Sequence, residues 1–307
     1  MSFDFAAVAV PFRMQPGLRR LAPGQPQLTP QRPGDAALAA KLAVLRGHAG
    51  EALLQAPGFD AAPMLARFAA HAAQEQPQAL RVDGEHLAAP LLGWALEGDR
   101  LVGEGDAAVG AVLAALPAAW RRAGLLALAF AEDFAIIEGA GATIPWLAVC
   151  LPSHWSPRAK VGRHFAEVHA PVADNRVLIT ASEHLARLVT GAERWERFVW
   201  TVSPDGALDH HPARALLPPW PAAADADALV RGAWLRTERQ TFVPEPALGQ
   251  AVFTILVEAQ PLAQAVQSAE QAARLHDAIA SMSEAVLHYR GLAAARDRLL
   301  AWLAARR

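Results

Sequence analysis

The chain has 307 residues, 53% hydrophobic and 19% charged, with 28 Lys and Arg against 30 Asp and Glu for a formal charge of -2. That is enough apolar chain to bury a sizeable core, and too little charge for a disordered segment. No basic excess is available to meet a phosphate backbone, so nucleic acid is not an expected partner. The single cysteine, Cys150, excludes an internal disulfide and any cysteine-built zinc or iron–sulfur site within this chain. Inside the apolar run IPWLAVCL it reads as a buried, inert thiol, and it fits a reducing, cytoplasmic location. The N-terminus lacks the basic start and long apolar core of a signal peptide. No apolar run approaches about eighteen residues, so no membrane span is expected.

Residues 1–34, rich in Pro, Gly and Gln, read as an extended N-terminal arm. Residues 35–307 read as one domain: a helical N-terminal portion over 35–122, a sheet core over 123–260 and C-terminal helices over 261–307. Three helical patterns open it: DAALAAKLAVLRGHAGEALL with Asp35 as N-cap, FDAAPMLARFAAHAAQE, and GDAAVGAVLAALPAAWRRA. From residue 125, LLALAFAEDFAIIE and TIPWLAVCL predict two strands joined as a hairpin at GAGA. RVLITASEHLARLVTGAERWERFVW predicts a helix capped by Ser182 that runs into a strand at RFVWTVS. DGALDHHPARALLPPWPAAADAD predicts a long loop carrying His210 and His211. The clearest strand is Trp234–Val243, and AVFTILVEAQ should pair with it antiparallel. Strands do not alternate regularly with helices, so the class is α+β rather than a doubly wound sheet. No GxGxxG or P-loop is present.

Period-2 alternation places Arg236, Glu238 and Gln240 on one face of the clearest strand and Arg239 on the other. An exposed face with cross-strand charge pairs is the ordinary explanation. The apolar neighbour AVFTILVEAQ argues instead for burial, and so for a polar wall inside a pocket, because buried Arg and Glu are seldom left unpaired. The histidines show no HExxH or other metal spacing. His169 stands two residues before Pro171, which is expected to hold Ala170 extended and stiffen the backbone there. One imidazole on a defined backbone is what a heme iron takes as its proximal ligand, although a structural role is the ordinary one for a lone His. Trp155, Arg158, Lys160 and Arg163 combine an aromatic ring with cations. Such a run suits a flat anionic cofactor, or simply a surface loop.

The segment CLPSHWSPRAKVGRHFAEVHAPV resembles the heme-dependent oxidative N-demethylase-like family at Pro152, Ser153, Trp155, Lys160, Gly162, Val168, His169, Pro171 and Val172. WLRTERQTF followed by VFTILV is similar to a second signature of that family, and VPFRM, EDFAIIE, ERFVW and HYRGL also resemble family positions. HAPVADN departs from the family pattern after Val172. The resemblance implies a PAS-like antiparallel sheet cradling heme b. It implies an oxygenase subunit that oxidises an N-methyl group of a small amine with O2 to formaldehyde and the demethylated amine. Electrons would come from separate flavin and iron–sulfur reductase subunits. It implies His169 on the iron, with His154 and His164 left as alternatives, and Lys160 and Arg158 on the heme carboxylates. Trp155 and Arg239 would assist cofactor binding, and Glu238, Arg236 and Gln240 would form the catalytic wall. The alternative is a heme-binding gas or redox sensor, or carrier, without turnover.

Overall fold

The computed structural model describes residues 3–222 and 225–307. Its first half begins with a two-residue strand, Arg19–Arg20 (β1), then helix Ala36–Ala52 (α1), strand Leu53–Gln55 (β2) and helix Ala62–Glu75 (α2). Asp35 occupies the N-cap of α1, but its carboxylate accepts the Arg32 N–H at 2.7 Å instead of a helix N–H. The helical N-terminal portion expected over 35–122 also contains strands. Arg81–Asp83 (β3), His86–Ala89 (β4), Trp94–Glu97 (β5) and Arg100–Gly103 (β6) form a four-stranded antiparallel meander. Two tight turns drive it, with Gly84 at φ +56° and Gly98 at φ +57°, a backbone region that favours glycine.

Helices Ala107–Ala115 (α3) and Ala118–Ala129 (α4) follow, separated by Pro117, which occupies the N-cap of α4. The strand expected from residue 125 therefore starts later. Leu125–Ala129 completes α4, and the strand Asp133–Glu138 (β7) begins only after Phe130. Leu and Ala favour helix, and this turn is buried on all sides, which erases the helical period from the sequence. Strand Thr143–Ala148 (β8) closes the expected hairpin with β7.

Three short helices, Phe165–His169 (α5), Arg176–Thr180 (α6) and Ser182–Val189 (α7), then cross to strand Trp195–Ser203 (β9). Ser182 lies inside α7 rather than capping it; Ala181 holds that place without a side-chain bond. Helix Ala226–Arg231 (α8) leads into the long hairpin Trp234–Glu245 (β10) and Gln250–Pro261 (β11), antiparallel as expected. Helices Leu262–Ala265 (α9), Ala269–Ala280 (α10), Glu284–Tyr289 (α11) and Arg296–Ala304 (α12) end the chain. The class is α+β with antiparallel sheets.

The large sheet runs β1-β9-β10-β11-β7-β8-β2. On one face Phe134, Ile136, Val243 and Val252 join Met64 and Phe68 of α2 in the main core. Lys41 is buried beside this region, with Nζ 3.2 Å from Asp133 Oδ1 and bonded to the carbonyls of Ala127, Phe130 and Glu132. The arm is stitched to the same side: Gln27 Nε2 bonds Thr241 Oγ1 and Phe242 O at 2.9 Å each, and Gln31 Nε2 bonds Leu128 O and Phe130 O. The C-terminal helices bury a second core against Trp200, Val202 and Leu235. The opposite face carries α5 and α7, through Phe165, Val168, Ala186 and Val189. Among the described residues no helix is long and apolar enough to cross a membrane.

Candidate functional site

Register creates the site's floor. Arg236 pairs with Thr201, Glu238 with Val199 and Gln240 with Arg197 across β9 and β10. Directly opposed residues share a face, so Arg197 stands beside the Arg236–Glu238–Gln240 row. Arg236 is 2% exposed and Glu238 8%, which settles the choice between an exposed face and an enclosed wall in favour of enclosure. Glu238 Oε1 accepts a short hydrogen bond from Ser153 Oγ, and Oε2 accepts from Gln240 Nε2 at 2.5 Å. Arg236 Nε donates to Ser153 Oγ at 2.9 Å, while its outer nitrogens donate to Ala207 O and Leu208 O, each at 2.9 Å. Burial pulls the Arg236 guanidinium below its ordinary range, and Glu238 offsets this. Arg236 thus fastens the strand to the loop over 207–208 and presents Ser153 to Glu238.

His169 ends α5 above this face. The helix starts at His164, whose Nδ1 accepts the Ala166 N–H at 3.1 Å. His169 Nδ1 lies 2.8 Å from Phe165 O. A carbonyl can only accept, so Nδ1 carries the proton and Nε2 keeps its lone pair. The imidazole lies 4.1 Å from the Phe165 ring. Burial holds His169 down at about 4; the Phe165 carbonyl opposes this, and the Arg197 and Lys160 charges add to it. The ring is neutral at pH 7. The expected extended Ala170 is not found: it is helical, at φ -55° and ψ -37°. Asn175 Nδ2 bonds the carbonyls of His169 and Ala170, and these bonds outweigh the local preference before proline.

The other predicted residues divide. Lys160 Nζ donates to Val168 O, so it supports α5 close to His169. Trp155 packs where two apolar clusters meet. Arg158 is turned away: its Nη2 donates to Gly50 O at 2.8 Å near the end of α1. Arg239 lies on the opposite face, with Nε 3.0 Å from Glu196 Oε2 and Nη1 2.8 Å from Pro26 O. The structure therefore places Arg158 and Arg239 apart from the wall, Arg239 on the strand face where alternation had put it. His154 is exposed at φ +64°, its ring 4.8 Å from that of His210. His210 is 1% exposed rather than free in a loop, and its Nε2 bonds Asp205 Oδ1 at 2.9 Å.

Two cations escaped sequence reasoning. Arg197 Nε and Arg290 Nε are buried with no hydrogen-bond partner. Burial lowers both guanidiniums, Arg290 to about 10, and the Glu238 charge acts on each in the opposite sense. The signal that could have found Arg197 is its phase within Trp195–Ser203, once the pairing with β10 is drawn. For Arg290 the signal was its place in HYRGL, one of the stretches that resemble family positions. Cys150 is fully buried and its thiol is pushed far up by burial, as an inert thiol requires.

No curated protein matches the chain. The model of the family described as "Haem-dependent oxidative N-demethylase, alpha subunit-like" matches residues 121–300, which include α5, the whole polar wall and both cations. More than half of the sequence lies in that match, and the chain belongs to the heme-dependent oxidative N-demethylase alpha subunit-like family.

Proposed function

We propose that this chain is the oxygenase subunit of an oxidative N-demethylase, with heme b held by His169 and a small N-methylated amine held at Glu238. The observation that carries the reading is the bond between His169 Nδ1 and Phe165 O. Ligating imidazoles commonly donate their other N–H to a backbone carbonyl, and they must be neutral to bind metal. Both conditions support His169 over His164, whose Nδ1 is engaged as a helix cap. Among the described residues no three His, Cys, Asp or Glu come together as a metal set. A metal here would need to bring its remaining ligands, as a porphyrin does.

The residues fit such a group. Arg197, Arg290 and Lys160 give this side of the sheet an excess of positive charge over Glu238, which suits a cofactor bearing carboxylates. The strand order β9-β10-β11-β7-β8, with α5 to α7 crossing between β8 and β9, supports reading the sheet as a PAS-like cradle. When bound, heme supplies the redox centre that couples O2 and two external electrons to oxidation of one N-methyl carbon, giving formaldehyde, the demethylated amine and water. The electrons come from separate flavin and iron–sulfur reductase subunits. Glu238 accepts the N–H of the amine and is the group placed to hold or pass a proton at its oxygens. Ser153 and Gln240 fix those two oxygens, and Arg236 fixes Ser153.

The test compares visible spectra of the wild type and His169→Ala, each expressed with heme supplied, followed by amine-dependent oxygen uptake. A Soret band lost or strongly shifted in the variant, with uptake in the wild type, is expected. A band indifferent to the substitution moves the ligand to His154. A band without amine-dependent uptake favours the sensor or carrier. No band in either protein overturns the heme reading.

A further inference from the structure

β9 is covered on its outer edge by β1 only at Trp195 and Glu196. Beyond that point the edge is met by Arg290, whose Nη1 donates to Trp200 O, and by the N-terminal arm. Between arm and strand lies a cavity of about 260 Å³, lined among others by Phe12, Met14, Arg197, Phe198, Trp200 and Arg290. Arg290 lies over the Phe12 ring at 4.7 Å. Neither Arg197 nor Arg290 forms an ion pair among the described residues, and each keeps a buried Nε with no acceptor. Glu238 acts on both charges, while each of its oxygens accepts one hydrogen bond, from Ser153 and from Gln240.

Two like charges beside one another, partly withdrawn from water and short of acceptors, are costly for a folded chain. An anion seated between them removes that cost. The guanidinium fork matches a carboxylate, and the aromatic lining suits one carried on an apolar body. We propose that Arg197 and Arg290 form a carboxylate-binding site beneath the N-terminal arm. The inference rests on the family reading for the source of the carboxylate, which belongs either to the heme itself or to an N-methyl amino acid substrate.

Apoprotein of the wild type, Arg197→Gln and Arg290→Gln is titrated with hemin and with hemin dimethyl ester. The heme-loaded proteins are titrated with N-methylglycine and with dimethylamine, read by the shift of the visible spectrum. The expected result is that both variants weaken one carboxylate-bearing probe about tenfold or more and leave its carboxylate-free counterpart unchanged. Loss with hemin assigns the site to the cofactor; loss with N-methylglycine assigns it to the substrate. Equal behaviour of both members of each pair overturns the proposal. Melting of the ligand-free protein gives a readout that needs no heme. Arg197→Met should melt higher than wild type, because it removes an uncompensated charge, and a lower melting point would show a structural guanidinium and overturn the site. A wild type that takes no hemin sinks the heme reading alone, and the melting comparison then decides this one.

Discussion

Glu238 and Arg239 are neighbours in one strand, yet they belong to two different kinds of polar region. On the arm side, Arg239 meets Glu196, Glu196 also takes Arg19, and Arg19 reaches Asp4, so two cations face two carboxylates. Thr241 and Thr254 share a hydrogen bond of 2.7 Å, and Gln27 closes over Thr241. On the α5 side, Arg197 and Arg236 face Glu238, with Arg290 at the β9 edge against Phe12 of the arm and still within reach of the Glu238 charge, and Arg236 is held by carbonyls of the chain. The first network is balanced in charge and works as scaffold, although Arg239 Nη2 and Gln27 Oε1 are buried without a partner. The second sets three cations against one carboxylate, and a partly buried network with that excess of charge is where an anionic ligand belongs.

The largest effects should come from crossing the two faces. Glu238→Gln should lower amine-dependent oxygen uptake about 100-fold or more while leaving the urea midpoint nearly unchanged, because the amide oxygen keeps the Ser153 bond and its NH2 donates to Gln240 Oε1 once the Gln240 amide turns over. Arg239→Met should do the reverse. It leaves Glu196 buried with only the partly exposed Arg19, and should cost about 3 kcal/mol of stability in urea while uptake per folded molecule stays at the wild-type level. Uptake falling equally in both variants would erase the distinction between the faces.

How much of this was legible in the sequence depended on the range of the cause. The β10 alternation and its apolar partner are local, and they sufficed to place Arg236, Glu238 and Gln240 together and Arg239 opposite. The β3–β6 meander was also local, announced by VDGEH and LEGDR, but its short strands were hidden among alanine-rich helices. Arg197 depended on register between strands far apart in sequence, and Arg290 on how a C-terminal helix returns to the β9 edge. Neither is a property of a short window. Ala170 shows the same limit from the other side, since a rule about the residue before proline lost to two bonds from Asn175. His169 was singled out by resemblance; the bond to Phe165 that fixes its tautomer is tertiary detail of one helical turn.

The smallest effect tests whether the scaffold side is truly self-sufficient. Glu132 is buried beside it, 1% exposed, with Oε2 accepting the Thr29 N–H of the arm at 2.9 Å and Oε1 without a partner. Burial raises its carboxyl to about 7, the Thr29 bonds and the Lys41 charge opposing. The unfolded chain releases this proton near the ordinary value of about 4.3, so between the two values the folded state holds a proton that the unfolded state lacks. Stability from this group is present below the unfolded value and is lost as pH rises through about 7. Glu132→Gln cannot ionise and should be flatter than wild type between about pH 5 and pH 8, by about 3 kcal/mol at most in urea unfolding. Asp133, also raised by burial and paired with Lys41, slopes in the same direction in both proteins and cancels in the comparison. Parallel curves would mean that Glu132 finds its missing partner in water, and that the arm side, like the α5 side, is open to what lies outside the chain.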